Sequence, residues 1–255
     1  MSALMTIPPA LDPARHALFI DFDGTLVELV DDPQAVAIDR AALLRLAALQ
    51  SELSGAFAVL SGRRIADLDR FLEPLRFAAA GVHGLERRGG PDDPIERLAG
   101  PERLDPLRRD LGRQLAGRAD LRLEDKGLAL VLHYRGHPEL KAEAERLMAE
   151  AVHGDEGFAV MNGDHIVEVH LAGMDKGRAL AAFLVADPFR GRVPVYLGDD
   201  TTDEFGFRAV KERGGIAIKV GTGLSEADYR LAGVDSVHRW LGAPGEPSAA
   251  GTGSE

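Results

Sequence analysis

The sequence predicts an α/β fold: a parallel sheet covered on both faces by helices, with an α+β unit inserted into it. Three observations carry this. Short apolar runs alternate with helical patterns in the first third and the last third of the chain, as in strand–helix–strand units. Two of those runs end in clusters of carboxylates, and ligands in open α/β sheets bind beyond the carboxyl ends of the strands. Between them the pattern changes to pairs of strands around turn signals, which implies antiparallel hairpins.

Residues 1–16 are rich in Pro and Ala and read as a lead-in. Ala17 to Ile20 (ALFI) is an apolar strand ending at Asp21, and Ile38 to Leu49 carries apolar residues at helical spacing. Ala56 to Leu60 (AFAVL) is a strand running into Ser61-Gly62, where a helix is expected to begin. The insert is expected over 90–172. It opens with a charged helix over 101–119 and continues with two strands over 121–135 around Asp125-Lys126-Gly127. A helix over 138–152 and two strands over 158–171 around Asn162-Gly163 complete it. The order α-β-β-α-β-β suggests a two-fold internal repeat. The alternation then resumes with a helix from Lys176 to Val185, a strand from Val193 to Leu197 (VPVYL) and another over 216–220 (IAIKV). Residues 1–89 and 173–242 are thus expected to form the core. Residues 243–255, rich in Gly, Pro, Ser and Ala, are expected to be a disordered tail.

Composition narrows the function. The 255 residues include 30 Lys+Arg against 41 Asp+Glu, a formal net charge of −11, and no cysteine. Disulfides, thiolate metal sites and a cysteine nucleophile are excluded. The acidic balance argues against nucleic acid and against anionic membranes as partners. No apolar run is long enough to span a bilayer and the N-terminus lacks the pattern of a secretory signal, so a cytoplasmic protein is expected. No segment calls for an obligate protein partner.

The chemistry concentrates in four places. In Asp21-Phe22-Asp23-Gly24-Thr25-Leu26, residues i and i+2 of a strand end point to one side, so Asp21 and Asp23 can face one site. Two carboxylates can divide labour there, one as nucleophile and one as proton donor, although a bare D-x-D is more often an acidic strand end before a turn. Gly198-Asp199-Asp200-Thr201-Thr202-Asp203-Glu204 gathers like charges that repel without a cation, and hard oxygen ligands suit Mg²⁺. A helix N-cap accounts for Thr202 or Asp203 but not for Asp199 and Asp200 together. Ser61 and the main-chain N–H groups after it can hold a phosphoryl oxygen, and Lys176 can neutralise its charge; each is weak alone.

Taken in order, these four segments resemble the motifs of the haloacid dehalogenase (HAD) superfamily of phosphohydrolases, over residues 17–220. That resemblance implies a Rossmann-like core with a cap inserted between the second and third motifs. Further segments are similar to those of trehalose-6-phosphate phosphatases: Gly81-Val82-His83-Gly84-Leu85-Glu86, Glu124-Asp125-Lys126 with His133-Tyr134-Arg135, Val167-Glu168-Val169, and Tyr196 to Glu204. Asp175, before the Lys-Gly pair, departs from the Asn or other polar residue of many members.

The resemblance implies a phosphatase that forms an aspartyl-phosphate. Asp21 would be the nucleophile and Asp23 the acid and base, with Ser61 and Lys176 on the phosphoryl oxygens. Mg²⁺ would be held by the Asp21 carboxylate, the Asp23 main-chain carbonyl and Asp199, and supported by Asp200. Arg63, His83, Glu124, Lys126 and Glu168 would bind the substrate, with the insert acting as a lid. A phosphatase for sucrose or glucosylglycerol phosphate, and a sugar-phosphate-binding module without turnover, are the alternatives.

Overall fold

The central sheet has eight strands in the order β12-β11-β10-β1-β2-β3-β4-β5. A computed structural model describes residues 7–30, 32, 34–163 and 165–242; the tail expected over 243–255 lies outside them. Strands β1 (His16–Asp21), β2 (Phe57–Leu60), β3 (Ala78–Gly81), β10 (Val193–Gly198), β11 (Ile216–Val220) and β12 (Tyr229–Leu231) run parallel. Every residue of β1, β2 and β3 is buried, the signature of strands covered on both faces. The covering helices are α1 (Arg40–Glu52), α2 (Ile65–Phe71), α5 (Lys176–Leu184), α6 (Asp203–Lys211) and α7 (Val234–Trp240). Asp39 caps α1 by accepting from Ala42 N at 2.7 Å. The core is dense in rings: Phe19 stacks on Phe189 with centroids 5.3 Å apart, and Phe57 meets Phe77 edge-on at 4.8 Å.

The inserted unit is a four-stranded antiparallel sheet in the order β6-β7-β9-β8, with two helices on one face. Its elements are α3 (Asp105–Gln114), β6 (Arg122–Asp125), β7 (Ala129–His133), α4 (Lys141–Ala151), β8 (Phe158–Gly163) and β9 (Ile166–Leu171), in the expected order. Leu104, Leu107, Leu111, Leu130, Leu132, Met148, Val167 and Val169 form its own core beneath the helices. Alternation along the strands sends Val131, Glu168 and His170 to the opposite face, toward the central sheet. In the β7–β9 ladder the middle pair is Val131 opposite Glu168. Val82, Leu85, Leu128, Ala129 and Leu171 seal the junction between the two sheets.

Several expectations are corrected. The central sheet extends past residue 90: β4 (Glu86–Arg88) and β5 (Glu96–Arg97) add antiparallel edge strands, so the inserted unit starts near Pro101. Asn162 and Gly163 do not make the hairpin turn but pair with Val167 and Ile166; the turn includes His165, at φ 54°. The two helical runs of the insert begin as 3₁₀ turns at Pro101–Leu104 and Pro138–Leu140. No helix starts at Ser61, since α2 begins at Ile65. Among the described residues no helix is long and apolar enough to cross a membrane.

Candidate active site

Strands β1 and β10 are neighbours in register, with Ile20 opposite Leu197, so the segments leaving them emerge side by side at one edge. That brings Asp21 against Asp199. The chain after Asp21 turns tightly at Gly24 (φ 73°), with Val27 N donating to Phe22 O at 3.0 Å. Only glycine serves there: a Cβ would lie 2.2 Å from Asp199 Oδ2. The buried Thr25 donates to Asp199 Oδ1 at 3.1 Å, which ties the two segments together.

Lys176, the first residue of α5, reaches the same point with Nζ 2.9 Å from Asp21 Oδ1 and 2.6 Å from Asp203 Oδ1. Asp175 caps its helix, accepting from Arg178 N at 2.8 Å, which accounts for an aspartate at that position. Burial alone would pull the Lys176 ammonium down, but the charges of Asp203 and Asp21 outweigh it and hold it above the ordinary lysine range. Asp21 is pushed well above the usual carboxylate range, first by burial; Lys176 offsets this only in part, and Asp203, Asp199 and Asp200 add to it. Asp199 is pushed up to about 6 by burial and by Asp203 and Asp200. Burial would raise Asp200 too, yet Lys176 and the Thr202 hydrogen bonds prevail and hold it low.

Oxygens of Asp21, Asp199 and Asp203 lie within 4.8 Å of one another. Asp21 and Asp199, the two carboxylates expected to hold a metal, thus lie together, and Asp203 lies with them. Asp23 points elsewhere: Arg63 grips it as a fork, Nε to Oδ2 at 2.7 Å and Nη2 to Oδ1 at 2.6 Å, and Arg63 itself lies 4.8 Å from the Phe71 ring centroid. Asp200 turns back to accept from Thr202 Oγ1 at 2.6 Å. Asp203 joins the cluster, but its oxygens are already engaged. Oδ2 accepts from Asp199 N (2.8 Å) and Asp200 N (2.9 Å), and Oδ1 from Lys176 and the Tyr196 hydroxyl. Asp203 thus fixes the loop that presents Asp199. Lys219, on β11, donates to the carbonyl of Asp199 and fixes the same loop from the other side.

Ser61 is buried at the end of β2, with its hydroxyl accepting from Arg63 N at 3.1 Å. Beside it, Val82 (φ 47°) and His83 (φ 53°) are consecutive left-handed residues, a costly conformation for a β-branched side chain. This turn aims the His83 imidazole over Gly62, where a Cβ would sit 2.8 Å from the ring.

The inserted unit roofs this site. Lys126 Nζ donates to Gly62 O at 3.1 Å and to Glu168 Oε2 at 3.2 Å. Glu168 is 1% exposed, and burial would raise it, but Lys126, His83 and His170 hold it below the usual range. Glu124 bonds to His133 Nε2 at 2.7 Å. Between roof and floor lies a cleft of about 1250 Å³. It brings together Asp21, Asp23, Ser61, Arg63, His83, Glu124, Lys126, Glu168, Lys176, Asp199 and Asp200, all the site residues expected from the sequence. Sequence reasoning missed the holding roles of Asp203, Tyr196, Lys219 and His133. The lysine within the otherwise apolar run IAIKV was the one signal available for Lys219.

The sequence pattern of the trehalose-phosphatase family matches residues 19–235. The chain is 39% identical over 249 residues to the trehalose-6-phosphate phosphatase of Escherichia coli (strain K12), covering 94% of this chain and 90% of that one. It is 39% identical over 222 residues to a probable trehalose-phosphate phosphatase of Sinorhizobium fredii, covering 87% and 82%. The crystal structure of a trehalose-6-phosphate phosphatase related protein superposes with a TM-score of 0.70 at 26% identity, covering 88% of this chain and 95% of that one. On the family match and these identities, the chain belongs to the trehalose-phosphatase family.

Proposed function

We propose that this chain hydrolyses trehalose 6-phosphate to trehalose and inorganic phosphate, in the cytoplasm, through an aspartyl-phosphate on Asp21. The observation that carries the reading is the cleft itself: a buried Asp21–Lys176 pair on its floor, backed by Asp203, and the Lys126–Glu168 pair in its roof. A phosphoryl group needs the first, and a neutral, hydroxyl-rich sugar needs the second.

Asp21 attacks phosphorus and the bond from phosphorus to the sugar oxygen breaks. Asp23 gives its proton to that oxygen, which first requires it to leave the Arg63 fork. The Asp23 carboxylate then takes a proton from water, whose oxygen attacks the phosphoryl group, and the bond to Asp21 breaks to restore its carboxylate. Lys176 and Ser61 hold the phosphoryl oxygens through both steps.

The hard oxygen donors grouped at Asp21 and Asp199, with Asp203 fully engaged behind them, fit a divalent cation. Mg²⁺ would be held by the carboxylates of Asp21 and Asp199 and the Asp23 carbonyl, with Asp200 in support, and it would supply neutralisation of phosphoryl charge. In the roof, Glu124, Lys126 and Glu168 hydrogen-bond sugar hydroxyls, with His83 beside Glu168 at 3.4 Å. A cytoplasmic setting goes with a charged sugar phosphate, which membranes retain.

The test is phosphate release from a panel of sugar phosphates with Mg²⁺. Strong preference for trehalose 6-phosphate is expected, with turnover abolished in Asp21→Asn. Equal rates on glucose 6-phosphate, or preference for sucrose phosphate, overturn the substrate; turnover by Asp21→Asn overturns the covalent step.

A further inference from the structure

Glu168 lines the main cleft, while His170 lines a smaller cavity of about 200 Å³ whose walls also include His83, Met174 and Phe205. The two oxygens of the Glu168 carboxylate differ in their partners. Oε2 receives the Lys126 ammonium. Oε1 accepts no hydrogen bond and lies 3.4 Å from His83 Nε2 and 3.6 Å from His170 Nδ1.

His170 Nδ1 is also buried without a hydrogen-bond partner. A donor and an acceptor so placed are rarely left facing each other unmade, since each forfeits its contact with water. His170 follows Glu168 by two residues on β9, so both side chains leave the same face of the strand. His170 lines only the smaller cavity, and a movement of a few tenths of an ångström brings Nδ1 to hydrogen-bond distance of Oε1.

We propose that His170 is a positioning residue for substrate selection: its Nδ1–H donates to Glu168 Oε1 from behind and fixes the plane of the carboxylate that meets the sugar hydroxyls. The idea rests on the reading of Glu168 as a sugar-binding group. His170 itself never touches substrate. Its effect is therefore confined to substrates large enough to reach the roof.

The test compares the whole enzyme with His170→Leu, which keeps bulk and removes the nitrogen, and with His170→Asn, whose amide nitrogen falls near the Nδ1 position. KM for trehalose 6-phosphate is expected to rise about tenfold or more in His170→Leu, the worth of one hydrogen bond to a charged group. Turnover of a small aryl phosphate falls far less, and His170→Asn restores most of the loss. In a Glu168→Gln background, His170→Leu adds little further. Equal losses on both substrates, no loss, or an undiminished loss in the Glu168→Gln background overturn the proposal. If His170→Leu does not fold, His170→Ala serves the same comparison. Failure of the substrate reading is separate: it shows as a wild-type enzyme without preference for trehalose 6-phosphate. The cycle is then run on whichever glycosyl phosphate the wild type prefers and still judges His170.

Discussion

Replacing Asp203 with asparagine removes a charge without changing shape, at a site with no exposure to water. Its oxygens accept from Lys176, Tyr196 and two main-chain N–H groups. An asparagine has one accepting end. Turned either way, its NH₂ faces donors, either the ammonium and hydroxyl or the two backbone groups. Breaking a buried ion pair costs about 3–5 kcal/mol. Two effects favour the lower end. Lys176 keeps Asp21 at 2.9 Å, and loss of the charge relieves the repulsion that helps push Asp21 and Asp199 up. For a chain of this size each kcal/mol moves Tm by about 2–4 °C, so a fall of roughly 6–12 °C is expected. Phosphate release should also drop sharply, since the Asp199 loop loses its anchor. Calorimetric melting of both proteins, with and without Mg²⁺, measures the first effect. A Tm within about 2 °C of wild type together with normal turnover would refute the anchoring role.

Gly24→Ala should abolish phosphate release in a chain that still folds, because the methyl group meets Asp199 Oδ2 at 2.2 Å and the site demands φ 73°; circular dichroism and turnover distinguish this from misfolding, and normal activity would contradict it. His83 yields a pH dependence. Burial lowers its imidazole from 6.5 to about 4, so between those values the unfolded chain binds a proton that the folded chain refuses. Stability therefore falls as pH drops from 6.5 toward 4, by at most about 3 kcal/mol from this group. Urea unfolding across that range should show a shallower slope in His83→Gln, and an unchanged slope would sink the assignment.

What could be read in advance follows physical signal strength. Strand β1 and its Asp21 motif were legible because a buried parallel strand is a continuous apolar run with an abrupt charged end. The insert was legible because its helices and hairpins carry clean periodicities. Strand β3 was not, since Ala78-Ala79-Ala80-Gly81 has no β-branched or aromatic residue and owes its place to the neighbours it packs between. Nor were β4 and β5, whose Glu and Arg residues hide any alternation; Arg88 is 1% exposed only because Asp69 and the Phe77 carbonyl receive it. Asn162-Gly163 looked like a turn, but the ladder closed one step further along, at His165. Asp203 was seen as an acidic residue at a helix start. Its partners come from α5, β10 and the loop before it, a convergence that only the folded chain displays.

The middle rung of the β7–β9 ladder has a consequence for how such a roof can diversify. The two α-β-β halves place β7 and β9 side by side at the centre of the sheet, and the central pair of that ladder is Val131 on one half and Glu168 on the other. Both residues line the cleft. On the reading proposed above, this rung carries a sugar-binding group, Glu168, on one half and an apolar residue, Val131, on the other. Directly opposed side chains sit about 4.5–5.5 Å apart at Cβ, so a polar residue at 131, which is buried, would lie within reach of the Glu168 carboxylate. If the roof reads the sugar as proposed, position 131 is where a single substitution changes sugar preference while the phosphoryl chemistry beneath is left untouched.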